Sequence, residues 1–429
     1  MTPAARLSAA IEVLEDIEAR RRPAPDALKD WGLSHRFAGS GDRSAIATLV
    51  YDGLRRKSSA RWLVDADTPR ATIIGMLSLQ RRLGADAIEA LFSGERFAPP
   101  PLEEAERAAL RGRDIGQAPG HIQADIPEWL WPAFSSALGQ EAIAEGRALA
   151  ERAPLDLRAN TLKTSRDKLV AELAPLGAVA TPLSPWGLRI PLGDDGRSPS
   201  VQSEEAFVKG LFEIQDEGSQ LAGKLADARP SDQVLDLCAG GGGKTLELAA
   251  AMANKGQIFA TDSDKRRLAP IHDRLARAGV RNVQVRTPRG PLPIDDLAGT
   301  MDLTVIDAPC SGSGTWRRNP DAKWRLRPNS LADREKDQAQ VLAAGARTVC
   351  RGGRLVYITC SLFESENDEA IARFLAGHDD FHLVPPGDLA ARAGLPELSR
   401  HLSAGGRGLQ LSPHRTGTDG FFIAALSRE

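Results

Sequence analysis

The chain has 429 residues, of which 42% are hydrophobic, and a formal net charge of −2 at pH 7. This length and composition predict two or three domains with buried cores. No apolar run reaches the ~18 residues that a membrane-spanning helix needs, and the amphipathic, acid-containing start, Met1 to Arg22, is not expected to be a secretory signal.

The four cysteines lie in the C-terminal half of the chain without Cys-x-x-Cys spacing. This spacing argues against a disulfide framework and against a zinc site, and it fits a reducing cytoplasm. We therefore expect a cytoplasmic protein with no metal and no membrane contact. Because the net charge is close to zero, any nucleic-acid surface must be a local patch of the molecule.

Two regions precede the part of the chain that carries chemistry. Residues 1–120 have the pattern of an all-α domain, with Leu7, Leu14 and Ile17 on one face of the first helix. Residues 121–205 combine short strands with a helix, and their first strand includes Leu157-Arg-Ala-Asn160. The second region is therefore predicted to be a small α+β module.

From residue 206 onward, strands and helices alternate. A predicted strand runs directly into the loop Cys238-Ala-Gly-Gly-Gly-Gly-Lys244, which opens a helix. Glycines leave no Cβ in the way of a ligand, and backbone N–H groups at the helix start face its polar groups. The next strand ends in Asp262, about 20 residues on, where folds of this kind hold a pair of ribose hydroxyls. The loop lacks the spacing of a phosphate-binding ATPase loop, so we expect an adenosine cofactor without a triphosphate, with NAD as the alternative.

Two later strands each deliver a cysteine to their carboxyl ends. One apolar strand leads into Asp307-Ala-Pro-Cys310, and another ends at Cys360. Since ligands bind at the carboxyl ends of parallel strands, Asp307, Cys310 and Cys360 are expected to flank one cleft. A pair of thiols there predicts covalent catalysis, in which a thiolate adds to a carbon and activates its neighbour. Cys238 and Cys350 are interpreted as small buried hydrophobic residues.

The segment between the two cysteine strands is basic and aromatic. It runs from Trp316 to Arg327 and holds five basic residues, one acid and two tryptophans. A solvated loop is one interpretation of this composition. Aromatic side chains interleaved with arginines so close to the thiols favour contact with a single-stranded nucleic acid, which needs stacking and phosphate contacts.

Several of these motifs together resemble one enzyme family. The segments Asp307-Ala-Pro-Cys310-Ser-Gly, Thr359-Cys360-Ser and the loop from Cys238 to Thr245 strongly resemble those of the S-adenosylmethionine-dependent RNA 5-methylcytosine methyltransferases. Segments that begin at Leu157, Gln215 and Arg317 are also similar to motifs of that family. The resemblance covers about residues 125–429, and the helical N-terminus is more loosely similar to the NusB-type domain of the bacterial 16S ribosomal RNA methyltransferase B branch.

The resemblance implies a fold and a domain organisation. The fold class is α/β, with a Rossmann-like doubly wound methyltransferase domain at residues 206–429. A small α+β RNA-binding module at residues 121–205 and an all-α NusB-like domain at residues 1–120 precede it. The implied partner is RNA, in the form of 16S ribosomal RNA or an early small-subunit assembly intermediate.

The resemblance also implies a role for each residue that matches a family motif. Cys360 would be the nucleophile that attacks C6 of cytosine, and Cys310 would assist product release after methyl transfer to C5. The residues implied to bind S-adenosylmethionine are Cys238, Ala239, Gly240, Gly241, Gly242, Gly243, Lys244, Asp262 and Asp307. The residues implied to contact RNA are Arg158, Asn160, Gln215, Arg317, Arg318 and Lys323.

The sequence departs from the family pattern at two places. Gly240 and Gly241 stand where the family usually has Ala and Pro, and four consecutive glycines are expected to cost ordering entropy and to weaken cofactor binding. Thr287 stands where an Asp near the adenine is common, so a weaker adenine contact is expected.

Two other functions are compatible with parts of the pattern. One is a non-catalytic RNA-binding assembly factor that retains the fold, although such a factor would need neither cysteine. The other is a DNA cytosine methyltransferase, in which the Pro-Cys thiol would attack and the Thr-Cys thiol would have no role.

Overall fold

The computed structural model describes residues 1–193, 196, 198–288 and 293–429. They form two compact units: a helical unit of Met1–Glu151 with Trp316–Arg327, and a sheet unit of Arg152–Thr315 with Pro328–Glu429. Within these described residues, no helix is long and apolar enough to cross a membrane.

The helices of the described residues are numbered in chain order. They are α1 Pro3–Arg20, α2 Ala24–Ser34, α3 Ser40–Arg55, α4 Lys57–Val64, α5 Pro69–Leu79, α6 Ala85–Leu91, α7 Glu104–Gly112, α8 Gly120–Gln123, α9 Trp131–Leu138, α10 Ala142–Leu149, α11 Arg166–Glu172, α12 Glu205–Val208, α13 Glu217–Leu225, α14 Gly243–Ala251, α15 Lys265–Leu268, α16 Ile271–Ala278, α17 Pro320–Arg325, α18 Pro328–Ala346, α19 Asp368–Leu375, α20 Pro386–Arg392 and α21 Pro413–Thr416.

The strands are numbered in the same way. They are β1 Leu155–Ala159, β2 Val179–Ala180, β3 Gly187–Ile190, β4 Phe212–Ile214, β5 Gln233–Asp236, β6 Gln257–Ala260, β7 Val283–Val285, β8 Met301–Asp307, β9 Val349–Thr359, β10 Phe381–Val384, β11 Leu409–Leu411 and β12 Phe421–Arg428.

The helical unit forms around α1, α3 and α5. The Thr2 side chain accepts a hydrogen bond from the Ala5 backbone N–H, and a proline occupies the first helical position of α1, so both signals for a helix start are present. The predicted stripe of Leu7, Leu14 and Ile17 is buried in the core of this unit. Burying that stripe against α3 and α5 gives the helix a stability that its own propensity would not supply.

The large sheet of the sheet unit places the ends of its central strands at one rim. Its order is β10-β12-β9-β8-β5-β6-β7, with β11 paired to β12. The pairs β5–β6, β6–β7, β5–β8 and β8–β9 are parallel, whereas β12 is antiparallel to β9. The chain leaves β5 toward β6 and β7 and returns to β8 on the other side of β5. The strands β5 and β8 therefore flank a topological switch point, where open α/β sheets bind their ligands.

A second, antiparallel sheet has the order β2-β3-β1-β4 and packs with α11 around its own small core. The predicted fold class is thus confirmed in its α/β sheet, its small α+β module and its all-α N-terminus. The similarity of the N-terminus to NusB stays a prediction. Helices α8–α10, which the sequence assigned to the second module, belong to the helical unit, and the boundaries at residues 120 and 205 stay predictions.

Candidate active site

The two cysteines predicted to act together lie just beyond two neighbouring strands. Strand β8 ends at Asp307, and Pro309 lacks the N–H that would continue the ladder, so the chain leaves the sheet before Cys310. Cys360 directly follows the last residue of β9. The two Sγ atoms are 3.4 Å apart, and both side chains are free thiols. The sheet therefore brings the predicted pair together at its rim.

A buried carboxylate behind the cysteine pair ties the two cysteine loops to each other. Ser311 and Ser361 each directly follow one of the cysteines. Glu366 accepts hydrogen bonds from the Ser311 backbone N–H at 2.8 Å, from its hydroxyl at 2.5 Å, and from the Ser361 hydroxyl. The Gln338 side chain donates a further bond at 3.1 Å. Because one carboxylate holds both loops, it fixes the separation of the two sulfur atoms.

The Cys310 thiol of the cysteine pair has a perturbed pKa. The neighbouring Cys360 sulfur, burial and the Glu366 charge raise the pKa of Cys310 well above its ordinary value. Cys310 is therefore the member that keeps its proton at neutral pH. A protonated Cys310 can donate its S–H to the Cys360 sulfur, which lies 3.4 Å away.

A lysine cation, Lys244, lies near the cysteine pair at the end of the loop that follows β5. The Lys244 Nζ is 2.8 Å from the Asp307 carboxylate and 3.4 Å from the Ser219 hydroxyl. Burial is the largest single influence on Lys244 and lowers its pKa, but the charge and hydrogen bond of Asp307 together with the Glu247 charge outweigh it, and the net pKa is raised. Cys360 is among the charges that raise it, so Lys244 is a permanent cation within electrostatic reach of that sulfur.

The loop after β5 runs from Cys238 to Lys244, and we call it the glycine loop. Its backbone conformation requires glycine at two positions. Gly240 and Gly242 have φ of +50° and +83°, which lies in the left-handed region that favours glycine. A Cβ on Gly242 would also lie 2.5 Å from a side-chain carbon of Ile271. The Gly242 N–H closes the turn onto the Ala239 carbonyl oxygen at 2.9 Å, and α14 begins at the next residue.

The acid at the end of the next strand organises the glycine loop from the other side. Both oxygens of Asp262 accept backbone N–H groups, one from Gly240 at 2.9 Å and one from Asp264 at 2.8 Å. A carboxylate has about four acceptor sites, so Asp262 retains capacity for a hydroxyl donor. The glycine loop, Asp262 and the partly exposed Asp307 thus follow β5, β6 and β8, the strands beside the switch point. This set of donors and acceptors fits S-adenosylmethionine, which has ribose hydroxyls, an amino group and a carboxylate.

Comparison with known proteins agrees with this geometry. Residues 224–427 match the family model "16S rRNA methyltransferase RsmB/F", and residues 126–192 match the ferredoxin-like domain of the RsmF/B-like methyltransferases. A Synechocystis protein named probable ribosomal RNA small subunit methyltransferase B is 30% identical, over 97% of this chain and 98% of its own. The ribosomal RNA small subunit methyltransferase B of Sodalis glossinidius is 35% identical, over 78% of this chain and 70% of its own. The chain belongs to the RsmB/F family.

A solved structure extends the comparison. A methyltransferase homologue from Pyrococcus horikoshii superposes with a TM-score of 0.59 and 29% identity, over 72% of this chain and 98% of its own. The RsmB/F family consists of ribosomal RNA methyltransferases, and the family and fold imply S-adenosylmethionine as methyl donor. The predicted resemblance is confirmed. In the part of the chain that the structure describes, no group of three or more His, Cys, Asp or Glu could hold a metal ion.

Of the three sheet-unit residues that the sequence predicts to contact RNA, Arg158 and Asn160 are buried and Gln215 is partly exposed. Arg158 is 4% exposed and donates to the carbonyl oxygen of Gly243 at 2.9 Å and to the Glu247 carboxylate at 3.0 Å. Asn160 is 7% exposed and donates to two backbone carbonyl oxygens. Gln215 bonds to Arg158 and to the Ser219 hydroxyl. Burial argues against RNA contact by Arg158 and Asn160, and contact by the partly exposed Gln215 stays a prediction.

In the helical unit, the segment from Trp316 to Arg327 is part of the fold and is not a solvated loop. Lys323 is 1% exposed, and Trp316 is fully buried. The Trp324 indole N–H donates to the Leu54 carbonyl oxygen at 2.7 Å, and Arg55 donates to the Arg317 carbonyl oxygen at 2.9 Å. The structure therefore does not support RNA contact by Lys323 or by the buried Arg317, whereas contact by the partly exposed Arg318 stays a prediction.

Sequence reasoning missed three residues that shape the site. Glu366 orders the cysteine loops, Glu247 anchors Arg158, and Arg274 donates to the Gly241 carbonyl oxygen at 2.6 Å. The only local signal for Glu366 was the serine that follows each cysteine, since two such hydroxyls need a common acceptor. Glu247 and Arg274 lie on helices where any charged residue matches the pattern of a solvated face. Thr287 lies exposed after β7, and its weak adenine contact stays a prediction.

Proposed function

We propose that this protein transfers a methyl group from S-adenosylmethionine to C5 of a cytosine in RNA, through a covalent bond between Cys360 and C6. The observation that carries the proposal is the 3.4 Å pair of free thiols at the ends of two neighbouring strands. Binding alone would need neither thiol. The names of the relatives favour small-subunit ribosomal RNA as the substrate.

Cys360 supplies the step that cytosine cannot make alone. C5 is a poor nucleophile, and S-adenosylmethionine, when bound, provides an activated methyl group for it. Attack of the Cys360 thiolate forms an Sγ–C6 bond, and the electron pair of the C5–C6 double bond moves to C5. The C5 electron pair would take the methyl group, and the cofactor would leave as a neutral thioether. Transfer of the C5 proton to solvent then leaves its bonding pair to re-form the C5–C6 double bond, while the Sγ–C6 pair returns to the Cys360 sulfur.

Cys310 is suited to the last of these steps. Its raised pKa keeps it protonated, and its sulfur lies beside that of Cys360. An S–H group in this position stabilises the negative charge that returns to the Cys360 sulfur when the Sγ–C6 bond breaks. Glu366 contributes indirectly, because it holds both cysteine loops at this separation.

Lys244 and Asp307 form an ion pair near the attacking sulfur of Cys360. Lys244 places a positive charge near the attacking sulfur, and its bond to Asp307 fixes that charge at the rim of the sheet. Both cysteine side chains are partly buried, so a base stacked in a helix cannot reach them. The target cytosine must leave its stack, as in other enzymes that modify bases.

The test is a denaturing gel of the Cys310→Ala and Cys360→Ala variants, each incubated with S-adenosylmethionine and unmodified small-subunit ribosomal RNA. We expect a protein–RNA band that survives denaturation for Cys310→Ala, because attack by Cys360 proceeds and release stalls. Cys360→Ala should form no such band and no methylated cytosine. Cys350→Ala is the matched control, since it removes a thiol from the opposite end of β9.

Other results would contradict the proposal in different ways. A band for Cys360→Ala alone would reverse the two roles and would match the order expected of a DNA cytosine methyltransferase. Full methylation by both variants would exclude covalent catalysis by either thiol. Failure of the wild type to methylate the RNA, together with failure to bind S-adenosylmethionine in calorimetry, would favour the non-catalytic assembly factor.

A further inference from the structure

The glycine loop is held from behind by an arginine of α16. Arg274 Nη1 donates to the Gly241 carbonyl oxygen at 2.6 Å. The same guanidinium donates through Nε and Nη2 to the Glu213 carboxylate of β4, at 3.2 and 3.0 Å. Arg277 donates to the other oxygen of that carboxylate at 2.6 Å. Because Glu213 is buried and bonded on both sides, it fixes the guanidinium of Arg274 in place.

A second arginine makes the equivalent contact two residues further along the loop. Arg158 of β1 donates to the Gly243 carbonyl oxygen and is anchored by Glu247. Arg158 and Glu213 are directly opposite each other in the pairing of β1 with β4. The small sheet thus provides one of the two arginines, Arg158, and the carboxylate that anchors the other, and the two arginines bind alternate carbonyl oxygens of the glycine loop.

The contact at Gly241 locks one peptide group at both ends. The oxygen of the peptide between Gly241 and Gly242 is bound by Arg274, and its N–H is bound to the Ala239 carbonyl oxygen at 2.9 Å. A peptide held at both ends cannot rotate, although glycine has the largest backbone freedom of any residue. Four consecutive glycines do little to restrict the loop backbone, so the hydrogen bond from Arg274 restricts it instead.

The same contact explains why position 241 has no side chain. A Cβ built on Gly241 would lie 3.2 Å from Arg274 Nη1, closer than ordinary van der Waals contact. The φ of Gly241 is outside the left-handed region, so its backbone does not itself require glycine. The space that a side chain at 241 would use is taken by the guanidinium. The effect of a substitution at position 241 should therefore depend on whether Arg274 is present.

We propose that Arg274 is a positioning residue for the methyl donor: it fixes the Gly241 carbonyl oxygen so that the N–H groups of the glycine loop face the cofactor in one arrangement. This inference rests on the proposed function, because the cofactor is taken to be S-adenosylmethionine. It also accounts for how a loop of four glycines retains cofactor affinity. Arg274 acts through the loop and need not touch the cofactor.

The experiment measures S-adenosylmethionine affinity by titration calorimetry on the full chain, without RNA. We expect Arg274→Ala to raise the Kd by about tenfold, the size of effect that loss of one charged hydrogen bond produces. Arg277→Ala is the matched comparison. It removes a guanidinium from the same helix and from the same glutamate but leaves both Arg274 bonds to Glu213 and the bond to Gly241 in place, so its Kd should rise less than that of Arg274→Ala.

A double-mutant cycle separates positioning from general stability. Gly241→Ala should weaken binding in the wild type, because the new Cβ meets Arg274. In the Arg274→Ala background the same change should improve binding, because the space is free and alanine restricts the loop. A residue that acts only on stability would not reverse the sign of this substitution. If Arg274→Ala fails to fold, the weakening by Gly241→Ala alone still tests the coupling.

The outcomes that overturn the inference are distinct from those that overturn the proposed function. Unchanged affinity in Arg274→Ala, equal losses in Arg274→Ala and Arg277→Ala, or the same effect of Gly241→Ala in both backgrounds would each overturn the inference alone. A wild-type protein that binds no S-adenosylmethionine would overturn the proposed function and the inference with it.

Discussion

At the scale of single residues, the site depends on buried groups that do not touch the substrate. Glu366 accepts from Ser311, Ser361 and Gln338 and thereby sets the relative position of the two sulfur atoms. Burial raises the pKa of Glu366, and its serine donors partly offset this effect. The carboxylate needs all of these donors, because a buried charge without partners costs several kcal/mol.

Glu366→Gln tests this arrangement. The amide keeps the size of the side chain but has only one acceptor oxygen, so it cannot serve both serine loops. We expect the methylation rate to fall by at least about tenfold and the free energy of unfolding to fall by about 1–3 kcal/mol. Single-turnover kinetics and urea denaturation measure the two effects. Glu369→Gln, at an exposed position of the next helix, is the control, and equal activity of both variants would refute the role of Glu366.

At the scale of elements, local pattern predicted the parts of the site that are local. Strand, glycine loop and helix follow one another directly, and each cysteine marks the end of its own strand. The contacts of Arg274 with Gly241 and of Glu366 with Ser311 join residues 33 and 55 positions apart, and pattern along the chain contains no information on such pairs. For the same reason the sequence pattern does not distinguish Arg158 and Lys323, which are buried, from basic residues that are exposed to RNA.

The difference between buried and exposed basic residues matters most for the segment from Trp316 to Arg327. Its helix α17 belongs to the helical unit, where the Asp321 carboxylate accepts from the Ala24 N–H at 3.3 Å and the Trp324 indole bonds to Leu54. In the same segment, Trp316 and Lys323 are buried. The segment is therefore a structural part of the helical unit, although it lies between the two cysteine motifs in the sequence.

A peptide experiment tests this conclusion. A fragment of residues 1–151 should gain thermal stability when a synthetic peptide of residues 315–328 is added, because the peptide restores buried contacts that the fragment lacks. We expect the Tm to rise by several degrees at saturation, since about 1 kcal/mol shifts the Tm of a domain this size by about 2–4 °C. A peptide with Trp324→Ala should produce a smaller shift. No shift with either peptide would mean that the helical unit is complete without the segment.

At the scale of the whole molecule, a buried carboxyl of the sheet unit and a buried lysine of the helical unit change the stability with pH in opposite directions. In the sheet unit, burial raises the pKa of Asp236 from 3.8 to about 7. In the helical unit, burial lowers the pKa of Lys323 from 10.5 to about 8, against the opposing charge of Asp125. Both shifts favour the neutral form of the side chain in the folded state.

The sign of each effect follows from proton binding. The native state holds the proton of Asp236 more tightly than the unfolded chain, so this stabilisation is present below pH ~4 and is lost as the pH rises to about 7. The native state releases the proton of Lys323 first, so stability increases as the pH rises from about 8 toward 10.5. Thermal unfolding followed by calorimetry at pH 5, 7 and 9.5 measures both effects. We expect Asp236→Asn to reduce the loss of stability between pH 5 and 7, and Lys323→Met to reduce the gain of stability between pH 7 and 9.5. Each variant is the control for the other, and wild-type slopes that persist in both variants would mean that other groups determine the pH dependence.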